Sequence, residues 1–243
     1  MRAILTYHSI DDSESVVSLS PEVFQSHVDW FAEGSVAVVG LTELLALPES
    51  TDAIAITFDD ALACIVTEVA PLLAAHALPA TTFVVSDHAG GDNRWGGVAD
   101  AGIPIQPVLN WDALGQLGEV GWTIGSHTRT HPHLTRCSDA ELHDELEGSA
   151  ENIRTHLGQQ PTTFAYPYGD CDPRVVRAAA ACYAVACTTE HLSIAESTER
   201  QLIPRLDAWY FRHPHAFRDW GSPRFRRGIA WRHALRRVRR LLP

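Results

Sequence analysis

The sequence predicts an α/β fold built on a largely parallel sheet, either open or closed into a barrel. Short β-prone apolar runs alternate with helical patterns from Ala3 to Thr188, and two of the helices open on clear capping sequences. The length of 243 residues suits one α/β barrel, and 45% hydrophobic with 20% charged residues is enough to bury a full core.

In order, residues 3–7, 36–39, 53–58, 81–85, 122–125, 163–166 and 183–188 read as short strands bounded by turn or helix-start residues. Ser20-Pro21 sets an N-cap and an N1 proline ahead of Phe24, Val28 and Phe31, which share one face. Ser138-Asp139-Ala140-Glu141 is a capping box, followed by Leu142, Leu146, Ile153 and Leu157 along one stripe. The stretch 87–109 is long, rich in Gly and Pro, and contains Trp95, so it is a candidate rim of a binding site. A domain spanning 1–211 and an Arg-rich tail over 212–243 are the only division that composition suggests.

The net charge of −11 hides an asymmetry. Residues 212–243 carry ten Arg and one acid, Asp219, whereas residues 1–211 carry 9 Arg against 29 acids, and there is no Lys. An acidic body argues against nucleic acid as a partner. No run is apolar and long enough to span a bilayer. The first apolar run, Ala3, Ile4 and Leu5, turns polar at Thr6, too short for a secretory leader, so a cytoplasmic location is expected. Five cysteines without C-x-x-C spacing predict buried free thiols rather than disulfides or a thiolate zinc site.

Two motifs carry chemistry. Thr57-Phe58-Asp59-Asp60 ends an apolar strand, and adjacent carboxylates there repel each other and lose hydration unless a cation offsets the cost. A plain helix cap ahead of Ala61 is the alternative. Ser126-His127-Thr128-Arg129-Thr130-His131 follows another strand, and imidazoles four apart meet if the loop makes a helical turn. Histidine scatter is the alternative here, since the chain has thirteen and His133 is nearby. Joined, one Asp and two His make a ligand set with open positions, as catalytic metal sites require, and leave a spare carboxylate as a general base.

These residues resemble the motifs of the polysaccharide deacetylase family, whose shared unit is the NodB homology domain. Asp59 and Asp60 match its first motif as base and metal ligand. His127 and His131 match the second as ligands, with Pro132-His133-Leu134-Thr135 continuing it. Phe164-Ala165-Tyr166-Pro167-Tyr168-Gly169 resembles the third, a groove wall in which a backbone N–H, that of Tyr168, helps hold the oxyanion. The resemblance runs over residues 3–211. It implies a distorted (β/α) barrel of about seven strands and a divalent metal, usually zinc, with cobalt, nickel or manganese as alternatives. The implied activity is removal of acetyl groups from N-acetylhexosamine units, with Tyr166, Pro167, Tyr168 and Trp95 as substrate contacts.

Two departures stand out. The Arg that opens the family's third motif and braces the base is replaced by Ala165, and the late strand ending in a general-acid His is absent. The start of the chain, Leu5-Thr6-Tyr7-His8-Ser9, resembles instead a permuted branch in which that strand comes first. His8 is then the candidate acid, and Arg205, in Leu202-Ile203-Pro204-Arg205-Leu206-Asp207, the candidate brace. Cleavage of a non-sugar amide at the same site, or an idle glycan-binding module, are the competing readings.

The tail predicts a basic amphipathic helix: Trp231, Leu235, Val238 and Leu242 recur at helical spacing, opposed by Arg232, Arg236, Arg237, Arg239 and Arg240. Residues 224–243 either lie on an anionic membrane or dock the apolar stripe on the acidic body and leave the arginines solvated. The oligomeric state is not legible.

Overall fold

The computed structural model describes residues 1–97, 102–213 and 215–241, the last three by backbone alone. Its strands are β1 Arg2–Tyr7, β2 Ser9–Ile10, β3 Ser18–Leu19, β4 Ala37–Val38, β5 Ala53–Phe58, β6 Thr81–Val84, β7 Thr123–Ser126, β8 Thr163–Ala165, β9 Val185–Cys187 and β10 Leu206–Asp207. The helices are α1 Pro21–Ala32, α2 Leu41–Ala46, α3 Ala70–Ala74, α4 Trp111–Glu119, α5 Asp139–Leu157, α6 Pro173–Cys182 and α7 Pro223–Leu241.

Seven strands run in the order β10-β1-β5-β6-β7-β8-β9, all parallel, with β4 pairing the first half of β5 where β6 has not yet joined. The sheet curls until its ends nearly meet. Ile203 N–H donates to the Ala186 carbonyl, Thr188 N–H donates to the Ile203 carbonyl, and the chain then runs directly into β10 beside β1. This is the distorted (β/α) barrel of seven strands. β1 and β5 are buried at every position, which explains their mostly apolar sequences.

All seven expected strands form, with ends shifted by at most two residues. β2, β3 and β10 were not predicted, because two-residue strands carry no periodicity. α1 is capped as expected, the Ser20 hydroxyl accepting from Val23 N–H, and the capping box of Ser138 and Glu141 is present at α5. Of the five free cysteines only Cys187 is buried, with its thiol pushed up to about 12 by that burial; the other four are half-buried. None of the described helices is long and apolar enough to cross a membrane.

α7 forms where expected but turns the other way. Phe225, Ile229, Arg232 and Arg236, at helical spacing, face the body. Ile229 is buried, and the Phe225 ring lies 5.7 Å from Phe211. The Arg232 guanidinium sits over the Tyr210 and Phe211 rings. Arg236 donates to Asp207 at 3.2 Å and to the Thr189 carbonyl at 3.1 Å, and His233 stands 3.1 Å from Glu190. Arginine stems and planar heads pack well on aromatic faces beside acids, so the acidic body takes the basic side of the helix. Trp231, Leu235 and Val238 are therefore exposed, contrary to docking of the apolar stripe; Leu242 lies outside the described residues.

Candidate active site and metal centre

The strand ends at one rim of the barrel bring the predicted residues together. β5 runs buried to Phe58, and the next two carboxylates part company because Asp60 and Ala61 adopt positive φ (68° and 51°). Asp59, 2% exposed, turns to Arg205, and Asp60 turns to the histidines. Of the eight described non-glycine residues with positive φ, Asp60, Ala61, Thr128, His131 and Tyr168 belong to this rim. Such backbone costs about 1–3 kcal/mol per residue and persists where surroundings enforce it.

The histidines do not meet on a helical turn. Thr128 and His131 both have positive φ (68° and 63°), and the loop that joins them is tied down side by side. His131 N–H donates to the Thr128 hydroxyl at 2.9 Å. Glu145, projecting from α5, accepts the N–H groups of Arg129 and Thr130 and the Thr130 hydroxyl. Ser86 N–H donates to the Thr128 carbonyl.

His127 Nδ1 lies 2.7 Å from the Ala165 carbonyl, which can only accept, so Nδ1 carries the proton and Nε2 keeps its lone pair. Nε2 of His127 and Nε2 of His131 stand 3.6 Å and 3.7 Å from the same atom, Asp60 Oδ1. Those separations are too long for hydrogen bonds. The ligand atoms of Asp60, His127 and His131 all lie within 4.8 Å of one another, wide enough to admit an ion. Burial, then the neighbouring His127, holds His131 well below the usual imidazole range, so its lone pair is available. Two neutral imidazoles and one carboxylate fit a divalent ion that keeps open positions.

Asp59 is held for a different task. Arg205, 1% exposed and borne just ahead of β10, grips it with two parallel bonds, Nη1 to Oδ1 at 2.6 Å and Nη2 to Oδ2 at 2.8 Å. Arg205 is fixed in turn by the Thr188 carbonyl and by the Phe83 ring beneath it. Burial alone pushes the Asp59 carboxyl up, but the Arg205 guanidinium outweighs it and holds the group below the usual carboxylate range. His8, following β1 and partly open to solvent, places Nε2 3.8 Å from Asp59 Oδ2.

The third motif divides. Tyr166 is fully buried among Phe164 and its neighbours, its hydroxyl donating to the Gln201 carbonyl, and Pro167 is buried as well. Both lie past the end of β8 with their side chains buried, so neither offers an open face to a substrate, against the expectation for them. Tyr168 alone is exposed (42%), stacked on His133 and set edge-on to His131 at 4.6 Å. Gly169 is obligatory beside it, since a Cβ there would fall 2.0 Å from the Thr189 hydroxyl. Trp95 also lies against His131, at 4.9 Å, although residues 98–101 of its loop lie outside the described ones.

Two contributors escaped the sequence reading. Glu145 was detectable as an acid on the buried stripe of α5, three residues after Leu142. The Ala165 carbonyl left no trace, because a backbone group has none.

With the geometry in place, comparison with known proteins decides the family. Residues 47–186, more than half the chain, match the family model described as polysaccharide deacetylase. The chain belongs to the polysaccharide deacetylase family. Among curated members it is 31% identical over 121 residues to a chitooligosaccharide deacetylase of Bradyrhizobium sp., covering 49% of this chain and 47% of that protein. It is 22% identical over 205 residues to a poly-beta-1,6-N-acetyl-D-glucosamine N-deacetylase of Staphylococcus aureus, covering 78% and 67%. The chain thus spans about half the length of the first of these relatives. Among solved members, Streptococcus pyogenes deacetylase PplD superposes with a TM-score of 0.76 at 19% identity, covering 91% of this chain and 98% of that one. IcaB from Ammonifex degensii gives 0.71 at 17%, covering 88% and 95%. At these identities the likeness shows this polysaccharide deacetylase family member's fold.

Proposed function

We propose that the protein is a divalent-metal-dependent hydrolase that removes the N-acetyl group from an N-acetylhexosamine unit of a glycan or glycan precursor. The observation that carries this reading is the convergence of Asp60, His127 and His131 on one point beside the Asp59–Arg205 pair. The named activities of the Bradyrhizobium and Staphylococcus relatives support the substrate class. Residues 1–211 form the catalytic unit in this proposal and 212–243 an appended segment.

Asp60, His127 and His131 would hold the ion, zinc by the chemistry of the donor set, with cobalt, nickel or manganese as substitutes. Such an ion supplies Lewis acidity, polarising a carbonyl oxygen and acidifying water. Asp59 takes the proton from the attacking water. Arg205 keeps the carboxylate ionised and aimed, standing in for the arginine that Ala165 replaces. The Tyr168 N–H is assigned to the oxyanion and His8 to protonation of the departing amine, on the family resemblance and on His8 lying near Asp59. Trp95 and Tyr168, both against His131, offer aromatic faces for a sugar ring.

Acetate release from soluble N-acetylglucosamine oligomers tests the function. One free amine should appear per acetate, only with a divalent ion present. Cleavage of simple acetamides with no release from any N-acetylated sugar would overturn it in favour of the non-sugar amide.

His8 has its own test. His8→Phe should keep fold and bound metal but lower turnover on sugars by ~10²-fold or more, the usual contribution of a general acid. An activated anilide, whose leaving group needs no proton, should lose far less. Equal losses on both substrates would remove His8 from that role.

A further inference from the structure

We propose that the outward face of α7 is a docking surface for anionic lipid bilayers. The helix carries eight arginines and no acid. Its two faces have been sorted by the fold in an unusual sense. Arg232 and Arg236 are spent on the body, over Tyr210 and Phe211 and against Asp207. The apolar side chains Trp231, Leu235 and Val238 are left 67%, 44% and 54% exposed in one stripe at i, i+4 and i+7. These are three of only eight large apolar side chains exposed among the described residues, and the other five are scattered over the remaining chain.

Charge decides what such a stripe meets. Arg224 and Arg227 lie in line with it one turn or two earlier, Arg237 lies beside it, and all three are exposed. A second copy of this acidic body could accept those arginines, but it would have to bring its own positive helix against this one at a self-complementary contact. An anionic headgroup layer carries no such conflict: it takes the arginines while a Trp ring settles at the headgroup level and Leu and Val enter the acyl boundary. A helix lying in the interface needs no apolar length to span the bilayer, and no described helix has it.

The surface is joined to the catalytic rim. Arg236 donates both to Asp207 of β10 and to the Thr189 carbonyl, and the Thr189 hydroxyl donates to the Tyr168 carbonyl. Docking through α7 therefore holds the rim next to the lipid surface, an arrangement suited to N-acetylated sugars presented at a membrane. That last point rests on the deacetylase reading; lipid docking itself does not.

Co-sedimentation of the full chain with phosphatidylcholine vesicles, with and without phosphatidylglycerol, tests the proposal. The protein should pellet with the anionic vesicles at low salt, release as salt rises, and stay in solution with phosphatidylcholine alone. Two variants at exposed positions, Trp231→Ser/Leu235→Ser/Val238→Ser and Arg224→Gln/Arg227→Gln/Arg237→Gln, should each weaken anionic-vesicle binding at least tenfold. Both should release acetate from soluble oligomers as the parent does, which separates failure here from failure of the deacetylase reading. An intact protein that ignores anionic vesicles, binds both compositions equally, or binds undiminished in the serine variant would overturn the proposal. So would a dimer in lipid-free solution that the serine variant dissociates.

Discussion

His131→Ala is expected to leave the protein without a bound divalent ion and with acetate release at background. His131 supplies one of three ligands, and its loop is held by Glu145 and Thr128 independently of the imidazole, so the fold should survive. Metal analysis and a thermal melt separate the two losses. At free ion a hundredfold above the dissociation constant, binding stabilises the parent by about 2.7 kcal/mol. The variant should not respond to added ion, and chelated parent should melt close to the variant. His143→Ala, exposed on α5, should change neither metal content nor turnover. A parent that hydrolyses sugars at full rate after complete chelation would rule out the metal assignment.

The Asp59–Arg205 pair should give the second large effect, and it separates catalysis from stability. Asp59→Asn removes the base, so turnover should fall by ~10²–10⁴-fold with the metal retained. The amide also leaves the buried guanidinium uncompensated, so this variant should melt lower than the parent. Arg205→Met strands the carboxylate instead, and breaking a buried pair from one side costs about 3–5 kcal/mol. Combining the two substitutions should recover much of that loss while activity stays low. The pH dependence has a definite sign. In the parent the Asp59 carboxyl lies below its unfolded value of about 3.9, so its contribution is present above that pH and lost only as pH falls through the folded value. In Arg205→Met only burial remains, which raises the carboxyl. The stability gap between parent and variant, measured without metal, should therefore narrow as pH falls from neutral toward about 4. A gap constant over that range would mean that Arg205 acts through packing alone.

The fold was legible because buried parallel strands are mostly apolar, as β1 and β5 are, and because Ser20 and Ser138 mark helix starts chemically. The metal set was legible because carboxylates and imidazoles at strand ends are costly without a purpose. The mode of approach was not: periodicity says nothing of the positive φ values at Thr128 and His131 that aim the second imidazole. Tyr166 was misplaced because a motif names a segment without saying which of its side chains are buried in the core. The helix at 223–241 was found by its period, but the period left open which side meets the body. Here aromatic faces and Asp207 on the body take Arg232 and Arg236, and the apolar stripe is left outside.

The pair of β1 with β10 has a consequence for how the chain comes into being. β1 is completed by the much later β10, and Asp59 and Arg205 are separated by 146 residues. A chain emerging from its N-terminus can assemble the strands from β1 to β9 while one edge of β1 is still without its neighbour, an edge open to pairing with other chains. Throughout that interval Asp59 has no guanidinium to keep it charged in a closing interior. The rim becomes competent for chemistry only when the barrel shuts, so no partly made chain carries a working site.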